Sequence, residues 1–501
     1  MTHRLETPTA ERLETELMAP DRWEGRLWIG GSWQEPGGGT IEVREPATGE
    51  LLAHAGLATA ADVSRAGERA AEAQPGWAGT LGADRAAVMR TAGLLLEQHS
   101  EEISKWIVRE TGSVRLKAQW EIKASFAEFM EAAALATQSS GELLAPNELG
   151  QTNLARRLPI GVVGAITPWN SPLVLAMRVL GPALALGNAV VLKPDPQTPV
   201  CGGVILARLL EEAGLPPGIL QVLPGGASAG EAIVTDERIG MVSFTGSTEA
   251  GRRVGALAGA RLKKVSLELG GNNAIIVLDD ADLEAASSAA SFGAFFHQGQ
   301  ICMTAGRHLV AEGVAERYGE LLAARARALA VGDPNTDDVS VGPMINPTQV
   351  ERVDRIVRET VAAGATVLAG ATHEGLFYQP TVLDAVTESM PAFAEEIFGP
   401  VAPISVFASD DDAIRLANRT AYGLVASVQT TSLSRGLAMA EQLRTGIVHI
   451  NDQTIADFAN VPFGGIGASG NGGRFGAPSN REEFTQWQWV TFREKQKTYT
   501  F

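Results

Sequence analysis

The sequence predicts an α/β protein: two parallel-sheet domains and a small β arm. Three observations predict it. Short apolar runs at 160–167, 188–194, 219–226 and 241–246 alternate with helix-like segments, the pattern of βαβ units whose parallel sheet is covered on both faces. The alternation resumes after about residue 285. The last segment, 481–501, alternates bulky and polar residues as an edge strand does.

Taken in order, residues 1–20 are polar and read as a loose arm. Residues 26–44 read as short strands joined by glycine turns. From 60 to about 136 the pattern is helical, with Leu94, Leu95, Leu96, Ile103, Trp106 and Ile107 on one face. IGVVGAIT (160–167) is a strand, SPLVLAMRVLGPALALG a helix ended by glycine, and NAVVLKP (188–194) a second strand. TPVCGGVILARLLEEAG is a helix stopped at Gly214, and ILQVLPGG (219–226) a third strand. MVSFTG (241–246) is a fourth, STEAGRRVGALAG a helix, and SLELGG and NAIIVL complete the first run. TAGRHLVAEGV, VAERYGELLAARARALA, APISVFAS and IVHIN carry the second. The terminal strand, exposed and hydrophobic, is expected to pair with another subunit. No internal repeat is present.

Composition bounds the function. The 501 residues are 45% hydrophobic and 20% charged, the proportions of a globular chain with a large core. A net charge of −17 repels phosphate backbones and anionic lipid, so neither nucleic acid nor a membrane surface is an expected partner. The basic cluster Arg261–Lys264 is too short to reverse this. Two cysteines and seven scattered histidines form no disulfide framework and no metal-ligand pattern. Neither a signal peptide nor a run of 18 apolar residues is found, and a reduced, cytoplasmic setting is expected.

Several residues stand out chemically. A lone cysteine is ordinarily a small buried apolar residue, and Cys201, in an apolar helix pattern, is read as one. Cys302 differs: Gly299 and Gly306 bracket it, which suggests a loop under close approach. Glu268 ends an apolar strand before two glycines; burial there would raise its pKa towards that of a general base, the alternative being an exposed strand residue. In TPWNSP (167–172), Asn170 follows a strand, where its amide could donate to a developing oxyanion or make an Asx turn. FTGSTEAG (244–251) opens a helix, and its free N–H groups suit a pyrophosphate as well as a plain cap. Lys193 ends the second strand, and Glu396 sits in EEIFGPV (395–401); each could meet a sugar hydroxyl or simply solvent. The GxGxxG match at 465–470 opens no helix and is read as unrelated to nucleotide binding.

Together, PWN (168–170), Lys193, FTGSTEAG, LELGG, GQICMTAGR (299–307), EEIFGPV and PFGG (462–465) resemble the NAD(P)-dependent aldehyde dehydrogenase superfamily, from about Trp28 to Phe501. The 34-residue step from Glu268 to Cys302 matches that family's base-to-nucleophile spacing. LKPDPQTPVCGG, FFHQGQICM, VHINDQT, VPFGGIGASGNGGRFG and EEFTQWQWV resemble its benzaldehyde- and vanillin-oxidising bacterial members. The resemblance implies a Rossmann-type cofactor domain (21–138 and 161–270), a catalytic domain (271–475) and an oligomerisation arm (139–160 and 482–501). It implies Cys302 as nucleophile, Glu268 as base and Asn170 as oxyanion donor. Ile166, Trp169, Lys193, Gly226, Gly246, Ser247, Gly251, Glu396 and Phe398 would hold NAD. Where many NAD-preferring members carry a glutamate, this chain has Pro196 beside Asp195, which leaves NADP as an alternative. By alignment Val174, Met177, Phe296, Ile301, Met303 and Phe458 would line an apolar substrate tunnel, with Arg178 close by. The implied function is NAD-dependent oxidation of an aromatic aldehyde by a homodimer or homotetramer. Aliphatic or semialdehyde oxidation, a nucleotide-independent thiol esterase and a silent nucleotide binder are the other readings.

Overall fold

The computed structural model describes residues 16–501. Of the expected N-terminal arm, 1–15 lie outside the described residues. The remainder is not loose: Leu17 and Met18 are buried, and Trp23 Nε1 donates to Met18 O (3.1 Å).

The glycine-turn region forms β1 (Leu27–Ile29), β2 (Ser32–Gln34) and the hairpin β3 (Thr40–Arg44) and β4 (Leu51–Gly56). Four helices follow: α1 (Ala60–Ala78), α2 (Gly82–Gln98), α3 (Ser100–Thr111) and α4 (Arg115–Leu135). Leu95, Leu96, Ile103 and Ile107 are buried as their spacing predicts, whereas Leu94 is exposed. The helix breaks at His99, so Leu94 does not continue the face of the next helix.

After β5 (Gly141–Leu144) and β6 (Gln151–Pro159) the βαβ run begins: β7 (Val162–Ile166), α5 (Pro172–Ala185), β8 (Ala189–Lys193), α6 (Ile205–Glu212), β9 (Leu220–Val222), α7 (Ala227–Thr235), β10 (Ile239–Thr245), α8 (Thr248–Gly259) and β11 (Lys264–Glu268). The five strands are parallel in the order β11-β10-β7-β8-β9, and β1 and β2 extend the edge antiparallel. Both faces are buried. Val163, Ala165, Val190 and Leu192 pack towards α2–α6; Val162, Ile166, Ala189 and Val191 pack towards α1 and α7. That is why these strands read as continuous apolar runs. A turn of π-helix, Val200–Val204, precedes α6 and contains Cys201, which is fully buried as read.

The second sheet starts earlier than the sequence pattern suggests. NAIIVL, grouped above with the first run, is β12 (Ala274–Val277) of the second sheet. Gly270–Asn273 carries the chain across, and Asn273 locks the crossing: its Nδ2 donates to Cys302 O and Thr304 O (2.8 Å each), and its Oδ1 accepts from Val425 N (3.2 Å). Then come α9 (Leu283–Phe295), β13 (Arg307–Ala311), α10 (Ala315–Ala328), α11 (Pro347–Ala362), β14 (Thr366–Ala369), β15 (Thr381–Asp384), β16 (Val401–Phe407), β17 (Val425–Gln429) and β18 (Ile447–Ile450). The sheet order is β14-β15-β16-β13-β12-β17-β18, parallel except at β14. Helices α9 and α10 cover one face and α11 the other.

The C-terminal segment differs from a plain strand. Ala477–Phe484 is a helix, α12, and the strand is β19 (Thr485–Arg493). One edge of it pairs with β6 of the same chain, in register from Thr485↔Pro159 to Arg493↔Gln151. The three-stranded sheet runs β19-β6-β5, so the far edge of β19 stays open, with Trp487, Trp489 and Phe492 exposed.

Two buried carboxylates reach from the helical layer to helix starts in the sheet layer. Glu110 accepts from Val200 N (2.8 Å) and Cys201 N (2.6 Å); Glu121 accepts from Leu173 N (2.8 Å) and Val174 N (3.3 Å). Both satisfy helix-start donors that local caps leave unpaired. Glu121 is ion-paired with Lys117, and both are fully buried. Lys117→Met strands that carboxylate. We expect a loss of about 3 kcal/mol, read as a lower urea midpoint with an unchanged slope.

Candidate active site

The register of the first sheet sets one side of the site. Ile166 pairs with Lys193 and with Phe244, and Thr245 pairs with Glu268, so these residues share the carboxyl edge of the sheet. Asn170 lies in the turn from β7 to α5, whose start Glu121 caps. It is 5% exposed, and its Nδ2 donates to Gln300 O (2.9 Å), two residues before Cys302.

Cys302 is half-buried, in a loop with unusual backbone. His297, Gln298 and Gly299 all have left-handed φ (+51°, +56°, +65°). A Cβ on Gly299 would sit 2.1 Å from Gly399 O, so only glycine fits. Gln298 Nε2 ties the loop to Gly112 O (2.8 Å) and Pro343 O (2.6 Å), and Thr304 Oγ1 closes it onto Gly299 O (3.0 Å).

Cys302 and Glu396 pack against two adjacent glycines, Gly270 and Gly271, that follow Glu268 and Leu269 in the chain. A Cβ on Gly271 would lie 2.4 Å from Cys302 O, and one on Gly270 2.3 Å from Glu396 Oε2. Glu396 Oε1 accepts from Gly271 N (2.7 Å). Phe398 (φ +56°) sets its ring edge-on to Trp169, with centroids 5.6 Å apart. Asn170 and Gln300, 130 residues apart, and Gly271 and Glu396, 125 apart, are thus brought together beside the carboxyl edge of the first sheet.

Burial dominates the electrostatics. It pushes the Cys302 thiol up to about 12, against the pull of Arg178. It raises Glu268 well above the usual carboxylate range, against Arg178 and Arg474. At neutral pH the resting Cys302 therefore holds its proton. Burial also raises Glu396 to about 7, and it lowers Lys193.

The other expected cofactor residues line the same edge. Lys193 Nζ donates to Gly225 O (2.8 Å), and Gly226 opens α7 with nothing within 4 Å of where a Cβ would stand. Gly246 N donates to Glu268 O (3.0 Å), and Ser247 Oγ caps α8 through Ala250 N (3.3 Å). Gly251 admits the Leu269 side chain, 2.2 Å from a would-be Cβ. A capped helix start, an open glycine edge and a lysine at one sheet edge fit a dinucleotide. Asp195 Oδ1 accepts from Gln197 N (2.9 Å) and Gln197 Nε2 (3.3 Å), so that carboxylate closes its own turn. The GxGxxG stretch opens no helix. It wraps the end of β11, where Gly470 bridges Glu268.

The tunnel residues divide. Val174, Ile301 and Met303 are buried, and Phe296 is half-buried, stacked on Phe292 at 4.6 Å. Met177 is fully buried as well, with its Cε 3.0 Å from where a Cβ on Gly181 would be. Phe458 is 66% exposed. A cavity of about 860 Å³ opens beside Phe296, lined also by Val114, Leu116, Phe292 and Arg325; Cys302 does not line it. Arg178 is not free to meet a substrate carboxylate. It is buried, paired with Asp457 and with Glu128 (3.7 Å), and lies over the Phe463 ring at 4.3 Å. Glu121, Asn273 and Arg474 were missed. Their sequence neighbourhoods look like helix surface or glycine loop, and their partners lie far along the chain.

Residues 33–490 match the profile of the aldehyde dehydrogenase family. The chain is 52% identical to vanillin dehydrogenase of Amycolatopsis sp., covering 96% of this chain and 99% of that one. It is 51% identical to benzaldehyde dehydrogenase [NAD(+)] of Pseudomonas putida, over 96% and 98%. Betaine aldehyde dehydrogenase from Staphylococcus aureus, solved in complex with NAD+, superposes with a TM-score of 0.92 at 29% identity, covering 99% of each chain.

Proposed function

The chain belongs to the aldehyde dehydrogenase family, and from this we propose that it oxidises aromatic aldehydes such as benzaldehyde and vanillin to their acids, with NAD as hydride acceptor. The observation that supports the chemistry is the approach of Cys302 and Glu396 to Gly270–Gly271, just after Glu268 in the chain.

Cys302 Sγ bonds to the aldehyde carbon, and its proton passes to solvent, directly or by way of Glu268, which is left ionised for the later step. The carbonyl oxygen gains charge and takes donation from the Asn170 amide and the Cys302 N–H. NAD, when bound, accepts the hydride that leaves this carbon. Glu268 then removes a proton from water as the water oxygen adds to the resulting thioester, and the carbon–sulfur bond breaks to release the acid. Lys193 and Glu396 hold the two riboses. Gly226, Gly246, Ser247 and Gly251 hold the adenine side and pyrophosphate, and Ile166, Trp169 and Phe398 line the nicotinamide end. Val174, Phe296, Ile301 and Met303 supply apolar surface for the ring.

Residues 21–138 with 161–270 act as the cofactor domain, and 271–475 as the catalytic domain. Residues 139–160 with 482–501 join subunits into a dimer or a dimer of dimers, a reading supported by the open edge of β19. Two free cysteines suit a reduced, cytoplasmic compartment.

The test is nucleotide reduction with benzaldehyde, vanillin, an aliphatic aldehyde and succinic semialdehyde, with NAD and NADP in parallel. We expect turnover of the aromatic aldehydes to be highest, and with NAD. Activity confined to the aliphatic or carboxylated aldehydes sinks the substrate assignment.

A further inference from the structure

The reaction above gives no task to the glycine-rich stretch Phe463–Gly476. Its neck is closed by Phe463 and Phe475, whose backbones bond in both directions (2.8 and 2.9 Å). The loop grips the end of β11: Leu269 N donates to Ser469 O (2.9 Å), and Leu267 N to Asn471 Oδ1 (2.9 Å). The glycines permit close approach. A Cβ on Gly464 would stand 2.7 Å from Glu268 Oε1, and one on Gly473 2.8 Å from Ser266 Oγ.

Within this stretch Arg474 is the single charged side chain. Its Nη1 donates to Gly465 O (3.1 Å) and Gly473 O (2.7 Å), both carbonyls of the loop. Its Cδ lies 2.9 Å from the same would-be Gly464 Cβ that Glu268 Oε1 approaches.

We propose that Arg474 is a positioning residue for Glu268: pinned along the loop by two carbonyls beside Gly464, it supplies the positive charge that lets the neighbouring carboxyl ionise there. The proposal rests on Glu268 being the base. Four charged or titratable groups face Glu268: Arg178 from α5, Arg474 from the loop, Glu483 from α12, and Cys302. Arg178 is shared with Asp457 and Glu128, and Glu483 is paired with Lys264 (3.5 Å). The guanidinium hydrogen bonds of Arg474 go to neutral carbonyls, whereas its backbone N donates to Glu483 Oε1 (3.4 Å), so no carboxylate takes up the guanidinium by hydrogen bonding. Burial drives Glu268 up, and the two arginines oppose it.

The test is the pH profile of kcat with benzaldehyde and saturating NAD, for the wild type, Arg474→Gln, Arg474→Lys and Glu268→Gln. Glutamine keeps an N–H for the carbonyls and removes the charge. We expect its acid limb to move up by roughly one pH unit, since loss of a nearby cation favours the protonated carboxyl. Turnover on that limb then falls about tenfold, while the lysine variant keeps the wild-type limb. An unmoved limb in Arg474→Gln, or an equal shift in Arg474→Lys, overturns the role of Arg474. An acid limb left unchanged in position and size in Glu268→Gln overturns the reading of Glu268 as base, and the proposal with it.

Discussion

Cys302→Ala is expected to abolish aldehyde-dependent NAD reduction, leaving at most about 10⁻⁴ of the wild-type rate. The loss is chemical rather than structural. Its loop is held by Gln298, Thr304 and Asn273 through backbone carbonyls, and none of these contacts uses the Cys302 side chain. Nucleotide binding and the thermal midpoint should therefore stay near wild type while turnover disappears. Cys201→Ala is the matched control: that thiol is fully buried against Glu110, away from the cleft. Aldehyde oxidation that survives removal of Cys302 would sink covalent catalysis.

Glu268→Gln is expected to lower steady-state turnover by about 10²- to 10⁴-fold, the range for losing a positioned general base. The first hydride transfer precedes thioester hydrolysis, so a burst of about one reduced nucleotide per site should remain when the reaction is mixed rapidly. The pH dependence follows from the same burial. Glu268 is raised above its ordinary value, so its basic form grows as pH climbs through the shifted value. Cys302, pushed up to about 12, loses its proton in the same direction. Wild-type turnover should therefore rise from neutral into alkaline pH, and Glu268→Gln should lose the part of that rise that belongs to the base. A flat wild-type profile, or no burst in the variant, would contradict this order of steps.

Much of the site was legible before any coordinates. The run IGVVGAIT reads as a buried parallel strand because both of its faces are covered. The bracketing of Cys302 by Gly299 marks a loop that tolerates no Cβ at that glycine. Position in a motif was a poorer guide to how deeply a side chain is buried. Met177 and Val174 lie on the same short helix and both are buried. Phe458 shares the apolar character of the tunnel residues and is exposed. The terminal strand was rightly read as strand, and its partner β6 lies more than 300 residues earlier.

Local order belongs to the sequence. Hydrophobic period, glycine stops and helix starts act over a few residues, so the alternation of strands and helices and the motifs at their ends can be read directly. Which elements become neighbours is a matter of chain crossovers and packing. The crossing at Gly270–Asn273 moves β12 into the second sheet and brings Glu268 near Cys302. Folding likewise pairs Arg178 with Asp457, 279 residues away, and removes it from the substrate's reach. It also brings Arg474, the lone charge of a glycine loop, near Glu268. A buried charge must find its partner wherever the packed chain brings one close, and no local pattern encodes that distance.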